Sequence, residues 1–93
     1  MSSPPNILLH SPVSDVEKLQ RAVEDWLRDG VVLVAVWGPQ CELTHDLIDE
    51  MGVGDGSDPS RFLMTSWHDD ETLDEAREFA GNYEMLGYQE LKL

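Results

Sequence analysis

Apolar residues arrive along this chain in two rhythms, short solid runs and runs spaced three or four apart, and their alternation predicts a strand-helix repeat. The first run, Asn6-Ile7-Leu8-Leu9-His10, lies between Pro4-Pro5 and Ser11-Pro12, as a short strand bounded by chain breakers does. From Val16 the rhythm changes to Leu19, Val23, Trp26 and Leu27, the spacing of one helix face. Ser14 and Glu17 stand at capping-box spacing before it, and Gly30 can take the left-handed position that ends it. "VVLVAVW", residues 31–37, is apolar at consecutive positions and predicts a strand covered on both faces. Gly38 is then read as N-cap and Pro39 as first residue of a second helix whose stripe is Leu43, Leu47, Ile48 and Met51, with Gly52 as its stop. Residues 52–60 have loop composition, and "RFLMTSW", 61–67, predicts a third strand. "HDDE" places acids in the first turn of a third helix, whose buried face is Leu73, Ala76, Ala80 and Tyr83. The closing "YQELKL" sets Leu91 and Leu93 on one side, which suits a tail or a short edge strand.

This order predicts one small α/β domain over residues 1–93, a three-layer βαβαβα arrangement around a three-stranded, mostly parallel sheet. Residues 1–5 form a flexible N-terminus, and residues 87–93 are available as a fourth, short edge strand. Right-handed crossovers bring all strand carboxyl ends to one edge, where ligands of open α/β sheets bind. His10, Trp37, Trp67 and His68 fall there, with Cys41 just beyond it.

Charge narrows the choice of partner. Residues 42 to 75 hold eleven acids against Arg61 alone, which is −10 of the chain's net −13. So negative a field repels phosphate backbones and anionic lipid, so neither nucleic acid nor membrane is an expected partner. A single Cys forms no internal disulfide, and "MSSPPNILLHSP" has neither a basic n-region nor a long apolar core, so a cytoplasmic location is expected.

Candidate chemistry gathers around Cys41. A thiol near a helix amino terminus is favoured as thiolate, and His45, four residues on, shares its face. With His68 and a carboxylate from Asp69 or Asp70, these residues would make a tetrahedral zinc set. Cys-x3-His alone is a common spacing, and the paired C-x2-C or H-x3-H elements of zinc signatures are absent. Phosphate loops, dinucleotide fingerprints and nucleophile elbows are absent too.

Trp37-Gly38-Pro39 leading into a helix at Cys41 resembles the thioredoxin active-site segment, over residues 31–51. The resemblance implies a redox thiol, but Gly38 stands where that family has its attacking cysteine, so only the partner thiol is matched. No proline follows the third strand where the family's cis-proline would lie. Dithiol exchange needs two sulfurs, so the likeness is read as local convergence on good helix-start chemistry.

Two functions follow. One is a non-enzymatic, acidic interaction or regulatory module that binds a basic protein. Trp37 and Trp67 would be its aromatic anchors, and Asp46, Asp49, Asp69 and Asp70 would supply the steering charge. It needs no cofactor. The other is a small enzyme or zinc protein centred on Cys41, His45 and His68, with Asp70 as a further ligand.

Overall fold

The computed structural model describes residues 4–53 and 63–93. Strands β1 (Asn6–His10), β2 (Leu33–Trp37), β3 (Met64–His68) and β4 (Tyr88–Lys92) alternate with helices α1 (Val16–Asp29), α2 (Cys41–Val53) and α3 (Leu73–Asn82). A short 3-10 turn, Tyr83–Met85, precedes β4. The sheet order is β3-β2-β1-β4, with every pair parallel. The mixed α/β class is as expected, but the sheet has four strands rather than three. The tail pairs with β1 along its length, from Asn6 opposite Tyr88 to His10 opposite Lys92.

Alternation along the strands divides the core in two. Ile7, Leu9, Val34 and Val36 face α1 and α2, where they meet Leu19, Val23, Trp26, Cys41 and Ile48. Leu8 and Ala35 face the other way, onto Ala76 and Ala80 of α3. Two alanines let α3 lie close on the sheet, and fully buried Asn6 fastens its end by donating from Nδ2 to the Ala80 and Tyr83 carbonyls, both at 2.9 Å. Strand order accounts for this division. β1-α1-β2-α2-β3 steps one way across the sheet, so right-handed crossovers put α1 and α2 on one face. The return from β3 to β4 puts α3 on the opposite face.

Helix boundaries depart from the expected ones for local reasons. Asp15, not Ser14, caps α1, its Oδ1 accepting from the Glu17 and Lys18 amides at 3.0 and 3.3 Å, while Ser14 Oγ donates to the Leu93 carbonyl. Gly30 ends α1 in the left-handed conformation as expected (φ 84°), its N–H reaching the Trp26 carbonyl. The α2 helix begins at Cys41 because Gly38 (φ 117°) and Gln40 (φ 59°) are both non-helical, and Gly52 lies inside the helix rather than after it. Leu43 is exposed at 59%, and buried Cys41 and Thr44 take its expected place on the inner side. Acids 69–71 precede α3, which is capped by Thr72 and Glu75 in a reciprocal box. Tyr83 lies beyond α3 and is half-buried. Residues 54–60 of the expected loop, and Arg61 and Phe62 of the expected third strand, lie outside the described residues.

Candidate functional site

The carboxyl edge carries one continuous row. His10, Trp37 and His68 stand in register on β1, β2 and β3, with Lys92 beside His10 on β4. His68 packs on Phe79 of α3 and Trp37 adjoins the alanine cluster, so strand parity sets the whole row on the α3 face. His10 meets Trp37 edge-on, with centroids 5.7 Å apart, and its Nε2 lies 3.1 Å from the Glu90 carboxylate. Arg77 on α3 also pairs with Glu90. That guanidinium holds the Glu90 carboxyl below the usual carboxylate range against the opposing effect of desolvation, with His10 adding to the lowering.

Loops after β2 and β3 leave for opposite faces, one to α2 and the other towards α3, and their divergence opens a shallow crevice of about 340 Å³. Trp37, Gly38, Pro39 and Gln40 form one wall, and His68, Asp69 and Glu71 the other. Trp37 bridges them by donating its indole N–H to the Glu71 carbonyl at 2.8 Å. Buried His68 is held between Ser66 Oγ, 2.9 Å from Nε2, and the Glu71 carboxylate at Nδ1. Gly38 is required at the floor, since a Cβ there would lie 2.6 Å from the Ser11 carbonyl oxygen.

His45 lies on the other side of the sheet. It meets Trp67 edge-on with ring centroids 4.6 Å apart, and its ring nitrogens approach Asp46 at 3.1 Å and Asp49 at 3.6 Å. Thr65 Oγ1 donates to Asp49, tying the outermost strand to α2. Cys41 is 1% exposed and belongs to the apolar core beneath α1 and α2. The fold thus brings His45 together with Trp67, Asp46 and Asp49, and sets His68 with Trp37 across the sheet from Cys41 and His45. Among the described residues no group of three or more His, Cys, Asp or Glu side chains is arranged to hold a metal ion. Asp69 and Asp70 are both exposed. Thr65, Arg77 and Glu90 join these clusters without a sequence motif of their own, while Glu71, one of the acids of "HDDE", becomes the partner of His68 and Trp37. Parity offers the signal for Thr65, which shares a face with Trp67.

Residues 5–92 match the family described as a domain of unknown function, DUF7684. The chain belongs to DUF7684. No curated protein and no solved structure matches it. The DUF7684 description assigns no activity, so function is argued from the residues themselves. No helix among the described residues is long and apolar enough to cross a membrane.

Proposed function

We propose that this DUF7684 domain is a non-enzymatic interaction module that binds a basic protein partner through the α2–β3 side of its sheet. The observation that carries this reading is Trp67, 44% exposed at the margin of the sheet beside the carboxylates of Asp46 and Asp49, whose side chains are 66% and 50% exposed. A large ring held in place by His45 supplies apolar contact area at little entropic cost, and the acids around it favour encounter with cations. Trp37 has a different part: half-buried and committed to the Glu71 carbonyl, it orders the crevice wall.

Asp69 and Asp70 extend the negative field beyond the carboxyl end of β3. Phosphate polymers would meet that field as repulsion, since residues 42 to 75 set eleven acids against Arg61 alone. The test is association of the immobilised domain with size-matched basic and acidic proteins across a range of salt. Binding confined to the basic set and weakened by salt supports the reading; salt-indifferent binding, or preference for the acidic set, rejects it.

A further inference from the structure

We propose that the outer edge of β3 accepts an extended segment of the partner as an added strand, and that this segment alternates basic with apolar residues. The inference rests on the interaction reading above and gives it a geometry.

Backbone register shows what the edge offers. The Met64 amide donates to the Val32 carbonyl at 3.1 Å, so residues 64, 66 and 68 turn their backbone groups towards β2. Thr65 and Trp67 therefore turn theirs outward, and among the described residues no strand lies beyond β3. An added strand would pair with these groups, main-chain hydrogen bonds supplying affinity and alternate side chains supplying selectivity.

The two faces flanking that edge differ in chemistry. On the α2 side stand Trp67, Asp46 and Asp49, the last accepting from Thr65 on the edge itself. On the α3 side stand Met64 and Phe79, 39% and 38% exposed, with the Tyr83 hydroxyl on the Met64 sulfur at 2.9 Å. Side chains of a strand laid alongside alternate between those faces, so one set meets carboxylates and a ring while the next meets apolar surface. Lysine or arginine suits the first set and an aliphatic residue the second.

A second copy of this chain suits the edge poorly, because antiparallel pairing of β3 with itself brings Asp46 and Asp49 of both copies onto one face. The opposite margin, β4, carries Lys92, a residue type that discourages edge pairing, whereas β3 carries neither lysine nor arginine from Met64 to His68.

The test uses a blocked heptapeptide of alternating lysine and valine, titrated into the isotope-labelled chain. Two further versions are N-methylated either at the lysines or at the valines. Strand addition predicts shifts at the Thr65 and Trp67 amides, weakening with salt, and loss of at least about tenfold in affinity for one methylated version but not the other. If both methylated versions bind as the parent does, strand addition is wrong although the interaction reading stands. If the peptide and basic proteins all fail to bind, both fall. Protection of the Thr65 and Trp67 amides from exchange in the free monomer would show the edge already covered and overturn the proposal. Dimerisation through β3, seen by sedimentation, would overturn it in favour of a second copy.

Discussion

Trp67 on β3 and His45 on α2 meet edge to face, ring planes inclined at 63°, and this pair fixes the exposed indole at the margin of the sheet. Because Trp67 keeps 44% of its surface in water, replacing it with alanine should cost about 1–2 kcal/mol of stability, less than loss of a core aromatic. Circular dichroism should be retained and binding of the lysine–valine peptide should fall at least about tenfold. A variant that binds normally would remove the indole from the interface.

Gly38 and Gly52 should respond in opposite ways to alanine. At Gly38 the new Cβ would strike the Ser11 carbonyl oxygen in a backbone conformation that side chains rarely adopt, so a loss of about 2–4 kcal/mol is expected. At Gly52, within α2, nothing lies within 4 Å of the added methyl, and alanine should stabilise by up to about 1 kcal/mol. Denaturant unfolding of the two variants checks both signs.

Burial decides the behaviour of Cys41. In the native protein its thiol should react slowly with a soluble disulfide reagent and fast once urea unfolds the chain, since only 1% of the residue is exposed. Cys41→Ser should cost about 1–3 kcal/mol by placing a hydroxyl among apolar neighbours, while leaving peptide binding unchanged. Rapid native labelling would contradict the packing.

Several of these relationships could be read from the sequence and others could not. β1 was legible because prolines bracket an apolar run, and the end of α1 because Gly30 is its natural stop. The T-x-x-E capping box of Thr72 and Glu75 was equally present in the sequence, yet the acids just before it drew the expected helix start too early. β4 was legible only as one option for the tail, because its alternation rests on two leucines, Leu91 and Leu93, and Glu90 on its other face finds its partners, His10 and Arg77, only after folding. In the candidate site, consecutive Trp67 and His68 on a strand must face opposite ways, so parity separates His68 from His45. What no local pattern reveals is that Asp49 reaches Thr65, since that depends on where α2 settles over β3.

Glu90 gives the fold a pH-dependent component. Its carboxyl is lowered chiefly by Arg77, so its contribution to stability is present above the ordinary carboxylate range and is lost as pH falls through the carboxyl's own depressed value. Glu90→Gln should therefore lower the Tm near neutrality, with the gap to the wild-type protein narrowing in acid. A gap that is constant with pH would assign the effect to packing rather than charge.

The central claim, that carboxylates beside Trp67 attract a basic partner, is tested most directly by the salt dependence of peptide affinity in the Asp46→Asn, Asp49→Asn double variant. Asparagine at 49 can still accept from Thr65, so the fold should be kept while two charges are removed. The account predicts that wild-type affinity falls steeply with added salt and that the variant binds more weakly with a flatter dependence. Equal affinity and equal salt dependence in the two proteins would contradict it.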